Sequence, residues 1–253
     1  MGEYVKWMIT TNARDNILAE CGSDNVVAIE PQLVITDLAK LYPGYLHYRC
    51  PAFIDALKNT YVVKAPFDFS IKIDPKERSI QADKDINFLQ KYIHNRINDS
   101  IPTENMVVSF NFFMLFITDD DIELEQLPCL YHTSEWIENT QSITGKFNIK
   151  KWIRPIECAA IIKNSKPKDN VTIINIKRDD PLFYFRLHSK NDNKVILEQE
   201  TNLNKIVEYT ELIRVTSLVK ATNPYLKLPI LYKLFDRFRP KKFFSKCPFS
   251  FRR

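Results

Sequence analysis

Histidines are the first candidates for metal binding or acid–base catalysis in this sequence. The chain has four of them, His47, His94, His132 and His188. None lies in the His-x-His or His-Glu-x-x-His spacing that brings two side chains to one metal ion. The nearest carboxylate pairings, His132 with Glu135 and His188 with Asp192, are weak because a pair alone does not make a metal site. The spacing predicts surface or hydrogen-bonded histidines, and no metal or other cofactor.

Carboxylates are concentrated in residues 119–125, which read DDDIELE. Alternating carboxylates suit calcium chelation or a general acid and base. An EF-hand loop needs glycine at its sixth position, where this run has Leu124. For a glycosidase-type pair, the decisive separation across a cleft is not set by sequence spacing. We favour a solvated strand edge that its charges protect from further pairing.

Nucleophile and phosphate motifs are missing. The five cysteines never occur as Cys-x-x-Cys, so we expect free thiols packed as small hydrophobic groups, Cys50 included. No serine lies in a Gly-x-Ser-x-Gly turn. With only four glycines, neither a P-loop nor a dinucleotide-binding loop can be built. These observations favour a protein that is not an enzyme.

Charge is distributed unevenly along the chain, whose formal net charge is +5. Residues 220–253 contain ten basic residues and one acidic residue, a net charge of +9, so the first 219 residues carry −4. We call residues 236–253 the C-terminal arm; it combines these cations with five phenylalanines from Phe238 onward. Cations and stacking rings suit nucleic acid, and they also suit an anionic membrane surface. Alternatively, the rings pack back onto the body.

We favour docking of the C-terminal arm on a protein partner or on a second protomer. The residues expected to make that contact, or a nucleic-acid contact, are Arg237, Arg239, Lys241, Lys242, Phe243, Phe244, Lys246, Phe249, Phe251, Arg252 and Arg253.

The elements that must position these residues are mostly strands. Residues 67–73 alternate apolar and polar side chains, which is typical of a half-buried strand. Residues 106–117 predict a long central strand, and turn clusters about every ten residues separate strands near 152–162, 171–177, 182–188 and 193–199. Helical spacing favours amphipathic helices at 83–97 and after Thr201, and Pro51 suits the first turn of a short helix.

This pattern predicts an α+β fold, mainly antiparallel, of the jelly-roll or cupin-like sandwich type with flanking helices and a basic C-terminal arm. We divide the chain into an N-terminal leader (1–35), a β-rich body (36–200), a helical segment packed on the body (201–235) and the arm (236–253). No run of eighteen apolar residues occurs, and the start lacks the apolar core of a signal peptide. We therefore expect a protein made in a reducing cytoplasm.

Three blocks of the sequence resemble a family of proteins from tailed bacteriophages, particularly marine phages with large genomes. The first ends in CPAFIDALKNTYVVKAPFD (residues 50–68), the second is GKFNIKKWIRPIE (145–157), and the third is IKRDDPLFYF (176–185). In the third block the family pattern leads us to expect glycine at Asp179 or its neighbour. The resemblance covers roughly residues 43–190. It implies a phage origin and a β-rich, jelly-roll-like body, and it carries over no catalytic residues.

The second block also contains the candidate ligand residues. We expect Arg154 to span a turn to a carboxylate with Trp152 packed beneath it, which we interpret first as a structural clamp. The alternative is a pocket for an anionic ligand built from Arg49, His132, Trp152 and Arg154.

Three hypotheses about function follow. The leading one is a non-enzymatic phage protein that binds other proteins, as a virion or assembly component or as a host-interaction factor, in the host cytoplasm or the virion. The second is a cupin-like metal-dependent enzyme with an unconventional site. The third is a nucleic-acid binder that uses the C-terminal arm.

Overall fold

The computed structural model describes residues 3–11, 30–45, 49–82, 93–95, 104–190 and 193–222, together with positions 230, 233 and 237. Of residues 93–95, 112–113 and 215–222 it describes the backbone alone. The strands of this part of the chain are β1 (Glu3–Ile9), β2 (Gln32–Leu33), β3 (Thr60–Lys64), β4 (Phe69–Asp74), β5 (Ser79–Ala82), β6 (Ile93–Asn95), β7 (Val107–Ile117), β8 (Ile122–Leu127), β9 (Thr140–Ser142), β10 (Gly145–Asn148), β11 (Ile156–Ile162), β12 (Thr172–Ile176), β13 (Pro181–Ser189) and β14 (Val195–Gln199). The helices are α1 (Val34–Leu41), α2 (Pro51–Ala56), α3 (Glu135–Asn139) and α4 (Leu203–Thr222).

The first sheet has the strand order β14-β1-β7-β11-β9 and is built around the long strand β7. Strand β11 runs along one edge of β7, while β6 and β1 follow each other along the opposite edge. The pairing of β1 with β14 is parallel, and the other strand pairs described are antiparallel. The first and last strands of the described part of the chain, β1 and β14, are therefore neighbours.

The second sheet has the order β10-β8-β13-β3-β2, and a third, smaller sheet has the order β12-β4-β5. Strand β4 alternates as its sequence predicts, with Phe69, Ile71 and Ile73 buried and Lys72 exposed. Apolar side chains from all three sheets join one core cluster, which includes Trp7 of β1, Phe116 of β7 and Phe185 of β13. The core thus lies between the sheets, and the predicted antiparallel β-rich fold of mixed α+β class is confirmed.

Helices cover the outer faces of the two larger sheets. Helix α1 places Val34 and Leu38 against Val62 and Tyr184 of the second sheet. Helix α4 places four apolar residues against Met8, Leu115 and Ile117 of the first sheet. Helix α2 begins at Pro51 as predicted, because the missing N–H of proline costs no hydrogen bond in a first turn. No helix in the described ranges is both long and apolar enough to cross a membrane.

Three sequence predictions need correction. The predicted leader of residues 1–35 is wrong at β1, which lies inside the first sheet and buries Val5 and Trp7. The helix predicted at 83–97 is wrong at β6, and its other residues lie outside the described part of the chain. Strand β8 is not an edge: it pairs with β10 on one side and β13 on the other.

Candidate functional sites

The four residues of the predicted anionic pocket occupy different places. His132 is buried on the outer face of the second sheet, whereas Trp152 and Arg154 line a groove beside β10 and β11. Neither His132 nor Arg49 is among the lining residues of that groove, and Arg49 is exposed just before α2. The groove therefore contains half of the predicted set, and His132 belongs to a separate buried network.

This buried network joins α1, β3, β13 and the segment after β8 through polar side chains. Asp37 of α1 accepts from Lys64 Nζ at 2.6 Å through Oδ1, and its Oδ2 lies 3.0 Å from His132 Nε2. The other ring nitrogen of His132, Nδ1, is hydrogen-bonded to the Tyr184 hydroxyl of β13. Because a carboxylate can only accept, His132 Nε2 must donate to Asp37, and a neutral ring then accepts the Tyr184 proton at Nδ1.

Electrostatics in the network follow from burial and hydrogen bonding. Burial by itself would raise the pKa of Asp37, but hydrogen bonds from His132 and Lys64 outweigh it and hold that pKa below its ordinary value. Burial raises the pKa of the Tyr184 hydroxyl. Asp37, His132 and Tyr184 are only 3%, 5% and 2% exposed, so a substrate has no access to them. The network therefore acts as a clamp that holds α1 and the segment after β8 on the second sheet.

Sequence reasoning found only His132 of this network. Asp37 and His132 are 95 residues apart in the sequence, and His132 and Tyr184 are 52 residues apart. No local spacing therefore predicts either hydrogen bond. The one available signal was an aspartate among the apolar residues of α1, since an unpaired carboxylate is rarely buried.

The groove beside β10 and β11 is built around Arg154. Its guanidinium carbon lies 4.8 Å from the ring centroid of Trp152 and 5.7 Å from that of Phe147, so the predicted packing of Trp152 beneath Arg154 is present. The guanidinium Nε donates to the carbonyl of Pro155 at 3.3 Å. The lining comes from β8, β10, β11 and the segments beside them: Gln126, Ile143, Thr144, Gly145, Lys146, Phe147, Trp152, Arg154, Ile156, Glu157 and Ala159.

Gln126 is the unusual member of this lining. Its side-chain nitrogen Nε2 is buried and has no hydrogen-bond acceptor among the described residues. A buried donor without an acceptor costs about 1–3 kcal/mol, so such groups are rare in folded proteins. The lining of the groove thus includes an unused donor as well as positively charged side chains.

Three of the five carboxylates in residues 119–125 are paired with basic groups. Glu123 Oε2 lies 2.8 Å from Nζ of Lys146 on β10, and Glu125 Oε2 lies 2.7 Å from Nε2 of His188 on β13. Hydrogen bonds from Lys190 and Asn148 hold the pKa of Asp121 below its ordinary value. The run is charged and partly solvated as expected, but its charges stabilise pairing with two neighbouring strands.

Of the two histidine–carboxylate pairings considered above, that of His132 with Glu135 is not formed. Both ring nitrogens of His132 are engaged within the network, and Glu135 instead accepts from Asn175. His188 lies against Glu125, and Asp192 is outside the described residues. Within the described ranges, no three histidine, cysteine or acidic side chains come together as metal ligands.

Two of the three cysteines that the structure describes are packed thiols. Cys129 and Cys158 are buried and free, and burial raises the pKa of both. The expectation of a packed thiol is wrong at Cys50, which is exposed immediately before α2. Cys21 and Cys247 lie outside the described part of the chain.

An apolar surface lies above the buried network. We call it the outer patch and define it as Phe53, Ile54, Leu130 and Tyr131. The rings of Phe53 and Tyr131 are 5.1 Å apart in an edge-on arrangement. Ile54, Leu130 and Tyr131 are 43%, 69% and 42% exposed. Ile54 follows Phe53 in the sequence and Leu130 precedes Tyr131, so each ring of the pair has an exposed aliphatic neighbour along the chain.

The residues predicted for the C-terminal arm lie almost entirely outside the described part of the chain. Arg237 is described and exposed, whereas residues 238–253 are not described. Docking of the arm therefore stays a prediction.

Two of the blocks that carry the phage resemblance meet in the fold. Ala65 and the turn after β12 exchange main-chain hydrogen bonds, from Ala65 to Asp180 and from Asp179 to Ala65, both at 2.9 Å. The Asp68 carboxylate accepts from the backbone N–H of Arg178 at 2.6 Å. These hydrogen bonds join the second sheet to the third sheet, and residues of both blocks take part in them.

Comparison of the chain with models of protein families, with curated proteins and with solved structures finds no match in any of the three.

Proposed function

We propose that this chain is a non-enzymatic phage protein that acts by binding another protein, as a virion or assembly component or as a host-interaction factor. The host cytoplasm or the virion is its place of action, and a jelly-roll-like sandwich is its scaffold. The observation that carries the proposal is the outer patch, in which an aromatic pair adjoins two strongly exposed aliphatic residues.

Such a surface is unusual for a side of a protein that faces only water. Single exposed apolar residues are common, but adjoining ones mark sites where proteins associate. Leu130, at 69% exposure, has more of its surface in water than any other large apolar residue described. A partner that covers it with Tyr131 gains the free energy of burying both side chains.

The outer patch is held in place from below, which favours binding. Phe53 packs against the cluster formed by α1 and the second sheet. Tyr131 precedes His132, whose ring is fixed between Asp37 and Tyr184. A preorganised surface loses little conformational entropy when it binds, so more of the burial energy is available as affinity.

Site-directed photocrosslinking in infected host cells tests the proposal. A photoreactive phenylalanine analogue at position 130 should yield one discrete crosslinked protein. The same analogue at Ile173 is the matched control, because Ile173 is 56% exposed but lies on β12 of the third sheet. Tyr131→Ser should abolish the crosslink and lower the affinity of the purified pair at least about tenfold, the effect of 1.4 kcal/mol.

Three results would overturn the proposal: no crosslink from position 130, an identical product from position 173, or unchanged affinity in Tyr131→Ser. Circular dichroism of the variant checks that the fold is kept. Ile54→Ser, on the other side of the patch, provides an independent second variant.

Nucleic-acid binding through the C-terminal arm is the second candidate, favoured by the net charge of +9 in residues 220–253. Removal of residues 236–253 should then abolish binding of a single-stranded oligonucleotide, and the affinity of the full chain should fall steeply as salt rises. Binding that is insensitive to salt, or equal in the shortened chain, would contradict this function.

A further inference from the structure

The outer edge of β14 presents main-chain groups that no strand of the described chain uses. Strand β14 is an end strand of the first sheet and pairs with β1 in parallel. The N–H of Glu200 donates to the carbonyl of Trp7 at 2.9 Å, and Trp7 is the register partner of Gln199. In a parallel ladder this bond fixes the alternation of the whole strand. The even-numbered residues of β14 therefore turn their N–H and C=O groups toward β1, and Val195, Leu197 and Gln199 turn theirs outward.

The outward groups of Val195 agree with this alternation and are already engaged. Its N–H donates to the side-chain oxygen of Asn59 at 3.0 Å, and its carbonyl accepts from the Tyr61 hydroxyl at 3.3 Å. The outward groups of Leu197 and Gln199 have no hydrogen-bond partner among the described residues. The second sheet thus closes the start of this edge, and the next two outward residues offer two donors and two acceptors to an incoming extended chain.

The open part of the edge is accessible and partly apolar. Glu198 and Gln199 are exposed, whereas Ile196 and Leu197 are half-buried. Leu197 packs against the core cluster shared by the three sheets. An added strand would therefore bury apolar surface at Leu197 in addition to forming four main-chain hydrogen bonds.

Glu198 decides which strand fits. Its carboxylate forms no ion pair with a described residue, because Lys6 and Lys205 lie against Glu200, at 3.0 and 3.9 Å. The exposed Lys194 lies beyond the closed end of the edge. In an added antiparallel strand, the residue opposite Glu198 belongs to a pair without hydrogen bonds, in which the two side chains come closest. A lysine or arginine at that position is favourable, and a carboxylate is unfavourable.

The same residue argues against a second copy of this chain at the edge. Pairing Leu197 of one protomer with Gln199 of the other would use all four outward groups, but it places the two Glu198 side chains opposite each other. Pairing Leu197 with itself aligns Gln199 with Val195, whose main-chain groups are engaged. The edge therefore suits a different protein.

We propose that the edge of β14 from Leu197 to Gln199 binds an extended segment of another protein, which adds antiparallel to the first sheet and places a lysine or arginine opposite Glu198. The outer patch lies over the second sheet. The inference therefore goes beyond the function proposed for that surface.

Amide hydrogen exchange of the full chain, detected by NMR, measures the state of the edge. In the chain alone, the N–H groups of Leu197 and Gln199 should exchange faster than those of Ile196 and Glu198, which donate to β1. The probe is the acetylated, amidated pentapeptide Thr-Val-Lys-Val-Thr. At saturation it should slow exchange at Leu197 and Gln199 about tenfold or more and leave Val195 unchanged.

Charge reversal on both sides tests the choice of partner. Glu198→Lys should weaken binding of the lysine peptide about fivefold and strengthen binding of the same peptide with glutamate in place of lysine. Glu77→Lys is the matched control and should leave both affinities unchanged, because Glu77 is an exposed glutamate between β4 and β5.

Methylation of the peptide tests the main-chain pairing. Methyl groups on both valine nitrogens should abolish binding, because these nitrogens would donate to the carbonyls of Leu197 and Gln199. A methyl group on the main-chain nitrogen of the lysine, which would face away from β14, should be tolerated.

Several results would overturn the inference. Slow exchange at Leu197 and Gln199 without peptide would mean that the chain covers its own edge, and protection that rises with protein concentration would mean that a second copy covers it. Equal binding of the lysine and glutamate peptides, or equal losses in Glu198→Lys and Glu77→Lys, would remove Glu198 as the determinant. Absence of peptide-dependent protection would refute the site itself. None of these results bears on the crosslink from position 130, so the two proposals are judged separately.

Discussion

Asp179 occupies a turn position whose backbone conformation favours glycine. Its φ is 69°, in the left-handed region that side chains with a Cβ rarely adopt. The resemblance described above leads us to expect glycine at this residue or its neighbour, and glycine reaches this region without strain. The turn must take this shape because Asp179 and Asp180 both pair with the backbone of Ala65.

At this position we predict that Asp179→Gly leaves the free energy of unfolding unchanged or raises it by up to about 1 kcal/mol. Release of left-handed strain is partly offset by the greater entropy of glycine in the unfolded chain. Urea unfolding gives the measurement. Asp180→Gly is the control with the opposite sign, because the Asp180 carboxylate accepts from the Lys177 N–H at 2.9 Å. Equal destabilisation by both substitutions would contradict the argument.

Helix α4 packs against the first sheet through one of its faces. Ile206 and Tyr209 are 3% and 0% exposed against the first sheet, while the adjacent Val207 is 49% exposed. Tertiary packing of this face, rather than helix propensity, provides most of the stability of such a helix.

For this helix we predict that Ile206→Ala lowers the free energy of unfolding by about 2–4 kcal/mol, the usual effect of a cavity in a core. Val207→Ala, one position along, should change it by less than about 0.5 kcal/mol. Chemical denaturation of both variants measures the difference. Similar losses in the two would mean that α4 is not bound to the sheet through the Ile206 face.

Two buried carboxylates join parts of the molecule that are far apart in the sequence. Asp37 links α1 to the second sheet, and Glu200, 4% exposed, lies 3.0 Å from Lys6 of β1. Burial acts to raise the pKa of Glu200, but hydrogen bonds from the Asn202 backbone and Lys6 lower it below its ordinary value. Because both folded-state pKa values are depressed, the unfolded chain binds more protons in the acid range.

We therefore predict that stability is fully present at neutral pH and decreases as pH falls below about 4 and through the folded-state pKa values. Asp37→Asn should lose about 3 kcal/mol at pH 7, because it leaves Lys64 without its buried carboxylate. Its stability should also fall less with acid than that of the original chain. Urea unfolding at pH 7, 5, 4 and 3 tests both statements.

The control for the acid series is Glu123→Gln, which removes an ion pair whose partners are 43% and 48% exposed. It should cost less than about 1 kcal/mol, because solvent screens exposed pairs. A parallel pH dependence of Asp37→Asn and the original chain would contradict the role assigned to Asp37.

Local pattern was enough to predict much of the architecture. Strand β4, the long β7 and the four strands from β11 to β14 follow from alternation and turn clusters, and α2 follows from its proline. Trp152 beneath Arg154 was also predicted, because the two residues are close in sequence. Strand β1 was missed although Val5, Trp7 and Ile9 alternate, since one short segment does not say what it pairs with.

The sequence by itself thus determined the class of fold and the concentration of positive charge at the C-terminal end. Those properties depend on side-chain periodicity and composition, which are local. Only the tertiary structure decided that His132 joins Asp37 and Tyr184, that Gln126 and Arg154 line the same groove, and that Phe53 meets Tyr131. Each of these arrangements brings together residues at least 28 positions apart, and it depends on strand order and register, which arise from packing the whole core.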